Sequence, residues 1–278
     1  MKTAKAIEFC LKYHEANSKK NTLINYEFIL SKLKAEFGNR DIREIKQDDI
    51  FTFLNRLTNG NKQNTKRNRF TTLSAFFNFI ASTLNPHLLN PCEGPMLKKM
   101  FKKAKISECN ILEKEVVDEI IFRTIHIRNR IILELLARAG MRISEVLKLT
   151  PNDIDGRKLT LRNPKSGKEI EFVYIPQRLS NRLQEYIQLQ KIALHERLFP
   201  ITYGGAREVV RKAGNTVDVY LTPHDLRRFA ATYASRCGTP IEIVSKVILR
   251  HANLSTTQRY LGKVSDIEAM RWIESVHG

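Results

Sequence analysis

The chain has 278 residues, enough for one or two domains with cores of their own, and a hydrophobic content of 42% that fits a globular protein. No apolar run approaches the roughly 18 residues that cross a bilayer, and no signal-peptide core follows Met1-Lys2-Thr3-Ala4-Lys5, so a cytoplasmic protein with no membrane partner is expected. Forty-seven Lys and Arg against 29 Asp and Glu leave a net charge of +18, more than solubility requires and suited to a polyanionic partner. The excess is steeper at the start: residues 1–106 hold 20 basic and 9 acidic side chains, residues 107–278 hold 27 and 20. Cys10, Cys92, Cys109 and Cys237 are scattered, without a C-x-x-C pair or a histidine at ligand spacing. Neither disulfides, zinc nor another cofactor is expected.

From Thr3 to about Asn85, apolar residues recur every three or four positions, which predicts helices at roughly 3–16, 21–37, 46–58 and 64–83. Asn64 or Thr65 caps the fourth. Its aromatics, Phe70, Phe76 and Phe77, lie on one stripe with Leu73 and Ile80 and are read as core. The cations at its start, Lys62, Lys66, Arg67 and Arg69, are candidates for phosphate contact. Asn85-Pro86, Asn90-Pro91 and Gly94-Pro95 close this helical domain, placed at 1–93. A basic connector at 94–107 follows, whose Lys98, Lys99, Lys102 and Lys103 suit a nucleic-acid backbone.

The second domain, 108–278, opens with helices at about 113–124 and 127–138, the latter closed by Gly140. Arg142 begins the next helix, and Glu145, three residues on, can orient it. Lys158–Arg162 and Glu169–Ile175 are rich in β-branched and aromatic residues and flank a hairpin turn at 163–168. Helices are expected from Ser180 to Leu194 and near 205–213. Thr222 then caps a helix with Pro223 in its first position, so His224 and Arg227 share a face. Gly238 ends that helix. Thr239-Pro240 with Glu242 predicts a capping box for the next, and Ser255 with Gln258 begins a short turn carrying Tyr260. Ser265 caps a last helix, 265–277, with Ile267, Met270, Ile273 and Val276 on its apolar face.

Two imidazoles, a guanidinium and a phenol without a carboxylate cluster make a poor metal site but suit a phosphodiester. Arginine matches phosphate oxygens with a planar fork, and a tyrosine oxygen can become a nucleophile. The pattern H-x-x-R from His224, then a helix pair, then H-x8-Y from His251 to Tyr260 resembles the second box of the tyrosine recombinases, the phage-integrase and Xer-type family. Ala137-Arg138-Ala139-Gly140-Met141-Arg142-Ile143-Ser144-Glu145 resembles its first box. Two departures stand beside the match: Arg250 occupies the place usually held by glycine before the second histidine, and the run from Arg227 to His251 is about one residue longer than in Xer-type members.

The resemblance implies a mainly α fold with a small β-sheet, in which an N-terminal helical core-binding (SAM-like) domain precedes an α+β catalytic domain. It implies a site-specific recombinase or integrase that cuts and rejoins DNA through a 3′-phosphotyrosyl link, without metal or ATP. Tyr260 would be the nucleophile, Arg142 and Arg227 the phosphate ligands, His224 and His251 their helpers, and Glu145 the residue that holds Arg142. The family carries its catalytic lysine on the 163–168 turn, where Lys165 matches best and Lys168 competes. The implied partners are double-stranded target DNA and a homotetramer joined through the C-terminal helix, with accessory proteins an option. Two alternatives stay open on the sequence: a type IB topoisomerase-like enzyme that relaxes DNA, and a non-catalytic DNA-binding accessory protein.

Overall fold

The computed structural model describes residues 1–104, 111–162, 164, 169–261, 270 and 273–275. The chain divides into two compact units, Met1–Ser107 and Glu108–Gly278.

The first unit is helical. Helices α1 (Thr3–Asn17), α2 (Lys20–Phe37), α3 (Gln47–Leu57) and α4 (Gln63–Thr83) lie within a residue or two of their expected bounds. Each buries one stripe: Ala6, Ile7 and Cys10 from α1, Ile29, Leu30, Leu33 and Phe37 from α2, Ile50, Phe53 and Leu54 from α3. From α4, Phe70, Leu73, Phe76, Phe77 and Ile80 complete the core, as the spacing requires. The basic run differs from the connector expected there. Pro95–Met100 forms helix α5, whose Leu97 is fully buried, and Phe101 after it is buried against the ring of Phe70, centroids 5.3 Å apart. Burial of these two side chains outweighs the solvation of the lysines between them, so the first half of the basic run belongs to the helical unit.

The second unit begins with α6 (Lys114–Arg123) and α7 (Ile127–Arg138), then the single turn α8 (Ile143–Val146). A three-stranded antiparallel sheet follows, β1 (Ile154–Asp155), β2 (Lys158–Arg162) and β3 (Ile170–Tyr174), in the order β1-β2-β3. Leu159 faces Val173 and Leu161 faces Glu171 across the hairpin, and these four residues line its buried side. The turn lysines Lys165 and Lys168 lie outside the described residues.

Helix α9 spans Gln177–Gln190 rather than 180–194, because Lys191 turns into the left-handed region at φ 51° and stops it. Helices α10 (Tyr203–Asn215) and α11 (Pro223–Arg236) follow. Helix α12 (Ile241–Ile243) is short, with no side-chain cap at its start, so the box expected from Thr239 and Glu242 does not form. It continues into a π-helical stretch, Val244–Ile248. Helix α13 (Leu254–Leu261) comes last before the C-terminal segment, of which only Met270 and residues 273–275 are described, all helical. The rest of the expected helix 265–277 lies outside the described residues. Among the described residues, no helix is long and apolar enough to cross a membrane.

Candidate active site

The first-box arginine is set by its own chain. Gly140 takes φ +58° after α7, a conformation that a side chain resists, and a Cβ there would meet the Ile248 side chain at 2.8 Å. That turn leaves Arg142 as the residue before α8. Its backbone N–H donates to Glu145 Oε2 at 2.8 Å, and its Nη1 donates to Oε1 of the same carboxylate at 2.6 Å. Glu145 is buried and accepts both, so Arg142 is held at main chain and side chain together. The carboxylate stays ionised although burial opposes its charge: Arg250 and Arg142 hold its pKa below the ordinary value.

Helix α11 supplies the second box. Thr222 is the N-cap that the sequence predicts, and Asp225 makes the cap reciprocal, with Thr222 N–H donating to Asp225 Oδ2 at 2.9 Å. Arg227 is 3% exposed and donates to the carbonyls of Gly140 and Leu249. One guanidinium therefore ties the turn before Arg142 to the end of the π stretch before His251. His224 stands at the rim, exposed on one side. Desolvation on the other, with Arg228 and Arg227 nearby, lowers its pKa.

The π stretch leads into the second histidine. Leu249 N–H donates to Val244 O at 2.9 Å, a bond that spans five residues, and such a turn holds one residue more than an α turn. His251 N–H then donates to Ser245 O at 2.9 Å, and its Nδ1 is 3.0 Å from Thr257 Oγ1 on α13, whose hydroxyl is 2.8 Å from Ser245 Oγ. Burial together with the charges of Arg227, Arg142, Arg250 and His224 pushes the pKa of His251 down to about 4. Three of the residues singled out in the sequence, with Arg250 beside them, thus act on one imidazole.

Tyr260 is on α13, three positions after the buried Thr257; its side chain lies outside the described residues, as do Lys165 and Lys168. The sequence reading noted Arg250 only as a departure and gave it no role, and it missed Glu171, Ser245 and Thr257. The glycine replaced by Arg250 was the available signal for Arg250 and Glu171, while the hydroxyl pair left none. Among the described residues no group of three or more His, Cys, Asp or Glu could hold a metal ion.

In the first unit, the phosphate candidates cluster at the start of α4. Lys62 and Arg67 are exposed, Lys66 and Arg69 half-buried. Arg69 lies over the Phe28 ring, 3.8 Å from its centroid, and lines a shallow cavity of about 190 Å3 with Asn25, Asn64, Thr65, Asn68 and Thr72. Arg67 Nη1 donates to Phe101 O at 3.3 Å, so part of that arginine serves the fold. Lys98, Lys99, Lys102 and Lys103 are exposed, and Lys98 pairs with Glu93.

With both boxes on one side of the second unit, the profile of the phage integrase family matches residues 110–265, more than half of the chain. The chain belongs to the phage integrase family. It is thereby an enzyme of the tyrosine recombinases, and its relatives carry that name. It is 29% identical to a tyrosine recombinase of Thermosipho africanus over 92% of this chain and 94% of that one. It is 28% identical to the tyrosine recombinase XerA of Pyrococcus horikoshii, over 98% and 95%. The integrase of transposon Tn1549, solved with transposon right-end DNA, superposes with a TM-score of 0.77 at 19% identity, covering 100% of both chains. Lambda integrase, solved as a dimer on a core site, gives 0.75 at 16% identity, covering 96% of this chain and 100% of that one. These two likenesses establish the integrase fold.

Proposed function

We propose that this integrase-family enzyme cuts and rejoins double-stranded DNA at specific sites by a tyrosine-based transfer that needs neither metal nor ATP. The observation that carries the reading is a cationic cluster built by contact: Arg227 on α11 donates to the carbonyls of Gly140, two residues before Arg142, and Leu249, two residues before His251. Such a cluster offers forked donors to the non-bridging oxygens of a phosphodiester, where charge grows in the transition state. The names of the relatives, with the transposon-end DNA and the core site bound by the two solved integrases, support DNA as the substrate.

In the proposed step the Tyr260 oxygen attacks the scissile phosphorus, and its proton passes to His224. The bond from phosphorus to the 5′-oxygen breaks as the new 3′-phosphotyrosyl bond forms. Lys165 gives a proton to the departing 5′-oxygen, with Lys168 the competing donor. Arg142 and Arg227 bind the non-bridging oxygens, Glu145 holds Arg142, and His251 hydrogen-bonds the phosphate. A 5′-hydroxyl from a second duplex reverses the step, since the covalent link conserves the bond. Exchange between two duplexes uses four such sites, so a homotetramer on DNA joined through the C-terminal helix follows. The helical first unit, Met1–Ser107, would grip the target, with Lys62, Lys66, Arg67 and Arg69 on phosphates and Lys98, Lys99, Lys102 and Lys103 following the backbone. Accessory proteins would be an optional addition to that assembly.

The test is adduct formation. Duplexes enriched by the protein from a random-sequence pool are nicked beside the site, incubated in a chelating buffer, and run on a denaturing gel. A protein–DNA adduct absent from Tyr260→Phe, with DNA affinity retained, is the expected result. Tight binding with no adduct at any enriched site would overturn the catalytic reading and favour the non-catalytic one.

A further inference from the structure

Two residues beside the site break local rules in opposite ways, and they meet. Arg250 has φ +50°, the left-handed conformation that favours glycine, yet it carries a long side chain that is 5% exposed. Glu171 sits on the buried side of β3, directly across from Leu161, where the strand pattern calls for an apolar residue. Arg250 Nε lies 3.7 Å from Glu171 Oε2, its Nη2 donates to Glu145 Oε2 at 2.7 Å, and its Nη1 donates to Ile248 O at 2.8 Å. A strained backbone and a buried charge persist where the surroundings hold both in place.

The chain of contacts leads back to the chemistry. Glu145 divides its carboxylate: Oε1 takes the Arg142 guanidinium, Oε2 takes Arg142 N–H and Arg250. Arg250 fixes the second oxygen, and so the plane in which the first meets Arg142. It also shares the negative charge that would otherwise fall on Arg142 alone. Glu171 supplies the counter-charge that lets a third guanidinium stay buried beside Arg142 and Arg227. Arg250 donates from Nη2 to the carboxylate that holds Arg142 and so acts through Glu145, while Arg142 keeps 24% of its side chain exposed to meet a ligand.

We propose that Arg250 is a positioning residue for DNA cleavage, with Glu171 as its buried charge partner: through Glu145 it sets the orientation and effective charge of Arg142. The inference rests on the phosphate-binding role proposed above for Arg142.

The experiment compares two nicked duplexes at the adduct-forming site, one with the natural scissile phosphodiester and one with a methylphosphonate, which lacks the non-bridging charge. Variants of the full chain are Arg142→Ala, Glu171→Gln, Arg250→Gly and the double variant R250G/E171Q. The double variant relieves the strained φ and removes both charges, so it keeps the fold where Arg250→Gly alone loses it; thermal melting checks this. The expected result is that the double variant binds DNA as tightly as the parent chain but cleaves the phosphodiester about 10- to 100-fold more slowly, with the defect much smaller on the methylphosphonate. Equal slowing of both substrates, or full-speed cleavage of both, overturns the role of Arg250. The parent reading is checked separately by Arg142→Ala. If that variant also slows both substrates equally, Arg142 does not serve the phosphate charge and the reading itself fails. If it shows the substrate difference and the Arg250 variants do not, only the role of Arg250 falls.

Discussion

Lys98 and Lys99 stand in water on α5 of the first unit, whereas Arg227 and Arg250 of the second retain 3% and 5% of their surface. The contrast is one of dielectric. An exposed cation is screened within a Debye length of about 8–10 Å and can follow a phosphate chain without a fixed geometry. A buried guanidinium is held by specific acceptors, among them the Gly140 and Leu249 carbonyls for Arg227, and a carbonyl and two carboxylates for Arg250. The first arrangement suits affinity; the second suits a transition state, because prearranged donors need no reorganisation when charge develops.

The sharpest way to break this comparison is Arg227→Ala. Cleavage should fall about 100- to 1000-fold while DNA affinity changes little, as single-turnover rates and binding isotherms would reveal. A matching loss of affinity would put Arg227 with the binding cations. Arg227→Lys should recover little, because one ammonium cannot span the Gly140 and Leu249 carbonyls in the plane of a fork.

A large effect on stability is expected from Phe101→Ala, which empties a position 2% exposed and removes the stack on Phe70. The cost should be about 3–5 kcal/mol in chemical denaturation. A cost near zero would return residues 95–101 to the role of a free connector.

A smaller effect concerns acid. The pKa of His251 lies at about 4 in the folded chain, below the 6.5 of an ordinary imidazole, so the unfolded chain takes up this proton first as pH falls. Stability is therefore whole above pH 6.5 and declines towards pH 4. Melting temperatures of His251→Gln across that window should show a shallower decline than those of the parent chain. An identical slope in both would mean that the imidazole titrates normally.

Smallest of all, Lys98→Ala with Lys99→Ala should weaken DNA binding alike on every sequence and lower the slope of log affinity against log salt by about one for each phosphate no longer neutralised. The exposed pair of Lys98 with Glu93 adds little to stability, so melting should stay within a fraction of a degree per exposed charge. An unchanged salt slope would place these lysines away from DNA.

How much of this was legible varies from residue to residue. The stripe Phe70, Leu73, Phe76, Phe77 and Ile80 was readable because a helix repeats about every 3.6 residues and its buried face must too. The Thr222 cap was readable because a cap and the turn it closes are neighbours in sequence, and so was the pairing of Arg142 with Glu145, three residues apart. The extent of the first unit was not, since Lys98, Lys99, Lys102 and Lys103 hid Leu97 and Phe101 in a run that reads as solvated. The second capping box does not form: Pro240, not Thr239, stands at the start of α12, which runs after one turn into the π stretch at Val244–Ile248.

Family, element types, and the order in which two arginines, two histidines and a tyrosine appear were all written in the linear chain, because local periodicity and short motifs carry that information. Which charges share a carboxylate was settled by folding alone. Arg250 and Glu145 are 105 positions apart, and no local pattern records that a left-handed arginine will find one glutamate on α8 and another on β3. Pairings of that kind are set by which side chains share a low-dielectric space once the chain has folded, and there an unpaired charge is too costly to leave.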